Sequence, residues 1–247
     1  MSDHTLRRRA FLKLCAAAGA LVAGRPGLLA QPSPPRTPAH PVRLVHPEDR
    51  PLRRADLTVG RSYVFHYPYA ITPCFLIDLG RRAAPRAGLE TDDGREYRWQ
   101  GGVGPGRSVV AFSAICAHRM SYPTREVSFI SYRHGRAHYT DLERRPAVQE
   151  QVIYCCSEGS AYDPAEGARV LGGPAPQPLA AVDLRWDQSD DSLTATGTYG
   201  GQMFDRFFEQ FGFRLELEYG GGELRKAAEG TTPVWTLEDY CANTSVC

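Results

Sequence analysis

The sequence lacks a large net charge, a long hydrophobic run and an internal repeat. Its formal net charge is only +1 over 247 residues. Positions 1–30 hold five basic residues and one acidic residue, so the rest of the chain carries about −3. This near-neutral body has no basic stripe that could neutralise phosphates, which argues against nucleic-acid binding.

The composition favours many short strands and loops over long helices. Apolar residues make up 42% of the chain, enough for a core, and 24 Gly and 19 Pro interrupt the apolar runs. We therefore expect an all-β fold. Its predicted strands cover residues 42–45, 57–66, 75–79, 108–115, 127–132 and 151–154, with a hairpin formed by residues 180–186 and 192–199.

The N-terminus is typical of an export signal. Arg7, Arg8 and Arg9 precede a weakly apolar stretch, residues 14–24, which is too short for the ~20 residues of a membrane-spanning helix. Residues 1–30 resemble a twin-arginine signal, which implies export of the folded protein to the periplasm. An uncleaved signal would serve instead as a membrane anchor. Residues 31–41 follow as a Pro-rich linker that we expect to form no central strand.

Two separated motifs carry the candidate chemistry. Cys116-Ala117-His118 follows the best predicted strand, and Cys155-Cys156-Ser157-Glu158 is followed by Gly159-Ser160-Ala161-Tyr162-Asp163-Pro164. Further on, residues 172–179 read Gly-Gly-Pro-Ala-Pro-Gln-Pro-Leu. Together the segments resemble the Rieske pattern, Cys-x-His and then Cys-x-x-His-Gly-Ser-x-Tyr-Asp, in which two thiolates hold one iron and two imidazoles hold the other.

The resemblance implies a fold, a cofactor and site residues. The implied fold is a β-sandwich or barrel base domain, within residues 42–220, with an inserted cluster-binding subdomain at about residues 108–180. The implied cofactor is a 2Fe-2S cluster held by Cys116, His118, Cys155 and the residue at position 158. Ser160 and Tyr162 would donate hydrogen bonds to its sulfur atoms, and residues 174–178 would cover it.

Similarity outside the two motifs points to one branch of the family. About residues 60–205 resemble the small Rieske subunit of arsenite oxidase, including His66-Tyr67-Pro68 and Gly101-Gly102-Val103-Gly104-Pro105. Such a subunit implies a large molybdopterin catalytic partner and a periplasmic acceptor such as cytochrome c. The chain would then transfer electrons and perform no substrate chemistry itself.

Glu158 stands where the Rieske pattern has its second histidine. An anionic ligand opposes reduction by about 4 kcal/mol at ~4 Å and an effective dielectric constant of 20, or about 170 mV for one electron. Three alternatives stay open for this position. The ligand is Glu158 or solvent, or the imidazole comes from His134 or His138, or no cluster binds and the chain is a structural or interaction subunit.

The gap between His118 and Cys155 is longer than in the family, and we expect an inserted hairpin between Arg133 and Glu150. Ser121 and Ser157 occupy the positions of the family's inter-loop disulfide, so that bridge is absent. Cys156 competes with Cys155 as the thiolate, although the downstream spacing favours Cys155. Among the other cysteines, a bridge between Cys241 and Cys247 and one between Cys74 and Cys156 are the expected pairings.

The end of the chain combines two periodicities. Residues 203–211 have helical spacing of aromatics, and we expect Phe204, Phe207, Phe208 and Phe211 to face the core. A docking surface for a partner subunit is the alternative for this stripe. Residues 213–219 alternate as a strand does, and residues 221–247 are expected to form a C-terminal tail.

Overall fold

The structure, a computed structural model, describes residues 36–245 and 247. These residues belong to one compact unit, Pro35–Cys247. The predicted signal and the first residues of the predicted linker lie outside the described residues. In the described part of the chain, no helix combines the length and the apolar character that crossing a membrane requires.

The described chain is mostly β structure, as the composition predicts. Its strands are β1 (Arg36–Val45), β2 (Ser62–His66), β3 (Pro73–Asp78), β4 (Arg86–Glu90), β5 (Glu96–Trp99), β6 (Val109–Ser113), β7 (Val127–Ser128), β8 (Ile130–Arg133), β9 (Ala137–Thr140), β10 (Pro146–Gln149), β11 (Val152–Cys155), β12 (Ser160–Asp163), β13 (Arg169–Gly172), β14 (Ala181–Trp186), β15 (Leu193–Tyr199), β16 (Gly230–Pro233), β17 (Trp235–Thr236) and β18 (Asn243–Thr244). Its helices are α1 (Met203–Tyr219) and α2 (Leu237–Tyr240), with 3-10 turns at Arg54–Asp56 and Pro164–Glu166.

The larger sheet has eight strands in the order β16, β1, β15, β14, β6, β3, β2, β17. Every residue of β3 and β6 is buried, because both faces of the sheet are covered. Successive side chains of a strand point to opposite faces, so Phe75 and Ile77 pack in one apolar cluster while Cys74 and Leu76 pack in another. The short apolar runs of the sequence therefore fill two cores.

A smaller sheet is inserted between two neighbouring strands of the larger one. Strands β6 and β14 lie side by side in the larger sheet, and the chain between them forms a four-stranded sheet in the order β13, β12, β11, β8. Strands β9 and β10 form an antiparallel hairpin attached to it. This arrangement confirms the expected all-β architecture with an inserted subdomain, and also the hairpin expected between Arg133 and Glu150.

The predicted linker is wrong from Arg36 onward, where β1 begins. The proline-containing half of β1 pairs with β15 only, while β16 pairs with residues from Val42 onward. That half is therefore an edge strand, in which proline is tolerated because no second ladder needs its amide hydrogen. Residues 221–247 are also more than a tail, because they supply β16, β17, α2 and β18.

Helix α1 confirms the helical spacing of residues 203–211, but the strand expected at residues 213–219 is wrong. Phe204, Phe207 and Phe208 are buried, and the buried stripe continues at Leu215, eight positions after Phe207. The alternation that suggested a strand has no structural counterpart, since Phe213 is 77% exposed.

We predict that Phe207→Ala lowers the free energy of unfolding by about 3–5 kcal/mol, because it opens a cavity in the core beneath α1. Phe207 is fully buried and packs edge-on against Tyr122. Urea unfolding measures the change. The matched variant Phe213→Ala, on the exposed face of the same helix, should change stability by less than about 0.5 kcal/mol. Equal losses for the two variants would contradict the assignment of the buried face.

Candidate metal centre

Two loops at the end of the inserted sheet carry the predicted ligands. The first loop, residues 116–121, follows β6 and closes on itself, because the Cys116 amide donates to the Ser121 carbonyl at 2.8 Å. The second loop, residues 155–160, joins β11 to β12. It is closed by the Gly159 amide, which donates to the Cys155 carbonyl at 2.9 Å.

The side chains of Cys116 and Cys155 meet between the two loops. Both residues are fully buried, both are free thiols, and the two thiols interact electrostatically. The Cys155 thiol and the Tyr162 hydroxyl lower the pKa of the Cys116 thiol to about 6, although burial opposes the shift. The same interaction raises the pKa of Cys155. The pair therefore holds one thiolate near neutral pH, and a thiolate is the form that binds metals.

Tyr162 ties this pair to the first loop. Its hydroxyl lies 3.3 Å from the Cys116 sulfur and accepts a hydrogen bond from the Ala117 amide at 3.2 Å. Tyr162 is fully buried, and burial raises the pKa of its phenol well above the usual value, so it stays protonated. A protonated phenol can donate to sulfur, which is the role predicted for it.

Two further predicted residues carry buried polar atoms that have no hydrogen-bond partner within the described chain. They are Nδ1 of His118 and Oγ of Ser160. Buried polar atoms are nearly always paired, so an orphaned atom requires an explanation, such as an absent ion or group. Both atoms belong to the two loops that carry the thiols. The two loops that carry the thiols thus also carry a buried ring nitrogen and a buried hydroxyl without a hydrogen-bond partner in the described chain.

Glu158 differs from the other predicted ligands because it is exposed and already paired. Its Oε1 lies 3.2 Å from Nε of Arg119, the residue after His118. This ion pair joins the second loop to the first. In the described residues, no three His, Cys, Asp or Glu side chains are grouped as a metal site. The described residues thus bring the thiols of Cys116 and Cys155 together without a complete metal-binding group, and Glu158 is held in a salt bridge.

The two alternative histidines lie at different distances from the second loop. Strand β11 pairs with β8 so that Cys155 lies opposite Ile130, and Arg133 lies opposite Val152 at the other end. His134 follows Arg133 and is therefore roughly 13 Å away from Cys155 along the strand, beside Tyr132. His138, in contrast, lines a cavity of about 360 Å³ together with Glu158. Of the two, only His138 adjoins the second loop.

Residues 172–179 contact the second loop directly. A Cβ atom on Gly173 would lie 2.4 Å from the carbonyl oxygen of Gly159, so glycine is needed for this approach. Gly173 also has a φ of 80°, in the region that favours glycine. This contact is consistent with the covering role that the resemblance implies for residues 174–178.

The disulfide predictions are wrong in their pairing. Cys156 is bonded to Cys247, 91 positions later in the sequence, and is therefore not available as a competing thiolate. The thiol of Cys241 donates to the Asn243 carbonyl, and that of Cys74 donates to the Tyr67 carbonyl. Strand β18 runs beside β7 and so directs the chain end towards Cys156.

Sequence reasoning missed two residues at this site, Arg119 and Cys247. Arg119 follows His118 directly, but nothing in the spacing indicates that it reaches Glu158 on the other loop. Cys247 was counted among the cysteines that should pair, and only the fold shows which partner is near. Both residues act through contacts between segments that are distant in sequence.

The chain is similar to a protein of known structure. The soluble domain of the Rieske protein II from Sulfolobus acidocaldarius is 28% identical to the chain, with a TM-score of 0.40. The match covers 57% of this chain and 69% of that one. No family model matches the sequence.

We predict that Tyr162→Phe lowers the free energy of unfolding of the metal-free protein by about 1–2 kcal/mol. The substitution removes the hydroxyl that accepts from the Ala117 amide, and a buried donor without its partner costs about that much. Urea unfolding measures the loss. Tyr154→Phe, a half-buried tyrosine on β11, is the matched control and should change little. A Tyr162→Phe protein as stable as the wild type would show that the hydrogen bond between the Ala117 amide and the Tyr162 hydroxyl does not stabilise the fold.

Proposed function

We propose that the chain is a Rieske-type electron-transfer protein that carries a 2Fe-2S cluster between its two loops. The observation that carries the proposal is the pair of buried, free and interacting thiols of Cys116 and Cys155, with the Tyr162 hydroxyl 3.3 Å from the Cys116 sulfur. The bound cluster would supply a one-electron carrier. The chain itself supplies its ligands, its hydrogen bonds and the exclusion of water.

The four ligand positions are Cys116 and Cys155 for one iron and His118 and Glu158 for the other. Cys116 and Cys155 offer one thiolate at neutral pH, and the second proton leaves when metal binds. Nδ1 of His118 is buried and has no hydrogen-bond partner in the described chain, so this nitrogen is the candidate metal ligand of the ring. Glu158 stands at the fourth ligand position of the motif. Its carboxylate would bind iron after its salt bridge to Arg119 opens.

Two hydroxyl groups tune the site. The Tyr162 phenol and the Ser160 hydroxyl can both donate to sulfur, and donation to the sulfur atoms of a cluster stabilises the reduced state. The same bonds raise the reduction potential. Glu158 acts in the opposite direction, because a negative ligand disfavours the added electron. Arg119 lies beside Glu158 and offsets part of that charge, so the expected decrease is smaller than about 170 mV.

The place of the protein in the cell extends the proposal. The twin-arginine motif supports export of the folded protein to the periplasm, with anchoring to the membrane if the signal is kept. The similarity of residues 60–205 to the small arsenite oxidase subunit supports a large, molybdopterin-containing catalytic partner. A cytochrome c or another periplasmic acceptor would then receive the electrons. In this role the chain belongs to an oxidoreductase but performs no substrate chemistry itself.

A cluster-free interaction or structural subunit is the second candidate. The exposed Glu158–Arg119 ion pair favours it, because that pair already joins the two loops without a metal. An exposed pair of this kind contributes about 0–1 kcal/mol, which is little resistance to exchange. The buried orphaned atoms of His118 and Ser160 favour the first candidate, since a cluster-free site gives them no partner.

We predict two irons and two acid-labile sulfides per chain when the protein is exported by its native host. Cys116→Ser or Cys155→Ser should abolish both, because each removes a thiolate ligand. Cys74→Ser is the matched control, since Cys74 is equally buried but lies in β3 with its thiol on the Tyr67 carbonyl. Wild-type protein that is folded but free of iron would reject the cluster and leave the second candidate.

We also predict that Glu158→His raises the midpoint potential by up to about 170 mV, because a neutral ligand replaces an anion. Glu158→Gln should shorten the lifetime of the cluster in the presence of a chelator. A redox titration measures the midpoint potential, and the decay of the visible circular dichroism signal after addition of the chelator measures the lifetime of the cluster. His134→Ala should have no effect, since His134 lies at the far end of β8. Loss of the cluster in His138→Ala but not in Glu158→Gln would assign the fourth position to the hairpin.

A further inference from the structure

The last residues of the chain run beside the segment that connects the two loops. We call residues 242–245 and 247 the C-terminal strap. Its strand β18 is parallel to β7, and three amides of the strap are hydrogen-bonded to that segment. The amides of Ala242, Asn243 and Ser245 donate to the carbonyls of Arg125, Glu126 and Ser128 at 2.8, 3.1 and 2.8 Å.

The strap ends in a covalent bond to the second loop. Cys247 is joined to Cys156, the residue after Cys155. The Cys156 amide donates to the Phe129 carbonyl at 2.7 Å, so the bridge and this bond fix the same residue from two sides. Arg133 completes the junction. Its guanidinium donates to the Ser245 carbonyl at 2.9 Å and lies 3.3 Å from the Cys156 sulfur.

We propose that the Cys156–Cys247 bridge is a positioning device for Cys155. It ties the second loop to the strap, and through the strap to the segment after the first loop. Besides the bridge, the strap is held by a two-residue strand, three amide hydrogen bonds and Arg133, and so short a pairing opens readily unless it is fixed. The inference rests on the proposed function, because it assigns the bridge a role in holding a ligand.

The sequence offers the loops little other support. Ser121 and Ser157 cannot form a bridge, and the one described ion pair between the loops, Arg119 with Glu158, is exposed. Without the Cys156–Cys247 bridge, residues 156–159 would be held mainly by the amides of Cys156 and Gly159. The bridge is therefore a covalent restraint on the residue next to Cys155, in addition to the strand pairing of β11.

The test compares Cys247→Ser and Cys156→Ser with Leu44→Ala. Both serine variants remove a bridge that closes a long loop, which should lower the melting temperature by about 10 °C. Leu44 is fully buried in the other core, so its truncation gives a comparable loss far from the loops. Each protein is held equally far below its own melting temperature, and the loss of the visible cluster spectrum to a chelator is followed.

The proposal predicts that both serine variants lose the cluster at least about tenfold faster than wild type, while Leu44→Ala is unchanged. An equal increase in the rate of cluster loss in Leu44→Ala would show that the bridge acts only through overall stability, and it would overturn the proposal. Wild-type rates in both serine variants would do the same. An effect of Cys156→Ser alone would assign the role to that residue and not to the bridge.

A second readout does not need the cluster. Amide hydrogen exchange of the metal-free protein reports the Cys156 and Gly159 amides and the strap amides. Faster exchange of all of them in Cys247→Ser, with no change in Leu44→Ala, supports positioning. Faster exchange of the strap alone overturns it. If wild-type protein binds no iron, the proposed function fails while this comparison still decides whether the bridge orders the loop.

Discussion

The interaction between the buried thiols of Cys116 and Cys155 is the one on which the candidate metal centre depends. Cys116 lies in the loop after β6, a strand of the larger sheet, and Cys155 is the last residue of β11, a strand of the inserted sheet. The fold therefore brings together residues from the two sheets. Tyr162 then stabilises the charge that results, since its phenol stays protonated and lies on the Cys116 sulfur. A buried thiolate without these partners would be unfavourable. The packing that buries Cys116 therefore requires the hydrogen-bond donors that the site supplies.

Charge distinguishes this site from the pattern it resembles. A second imidazole would be neutral, but Glu158 adds a negative charge and Arg119 supplies a positive one across the loops. The pair is exposed, so its contribution to stability is small. Its electrostatic influence on a nearby redox centre would be larger than its contribution to folding. The chain thus departs from the Rieske pattern at Glu158, and the charge of Glu158 is paired with Arg119 on the other loop.

The sequence predicted best what depends on local patterns. The apolar runs predicted strands β3 and β6, the turn residues predicted the β14–β15 hairpin, and the long gap after His118 predicted the β9–β10 hairpin. Ser160 and Tyr162 could be singled out as candidate site residues because their motif is contiguous, and their roles at a cluster stay predictions. The errors concern partners that are distant in sequence. The bridge between Cys156 and Cys247 spans 91 positions, and the strand expected at residues 213–219 is helical because Leu215 packs on the core.

The central claim is that one imidazole, His118, and one carboxylate, Glu158, complete the ligand set of a 2Fe-2S cluster. Pulsed electron paramagnetic resonance of the dithionite-reduced protein tests it most directly, because directly coordinated imidazole nitrogens modulate the electron spin echo. We predict a reduced-cluster signal with one such nitrogen in wild type. Two coordinated nitrogens in wild type would contradict the role of Glu158, and no reduced-cluster signal from folded, iron-supplied protein would contradict the account as a whole.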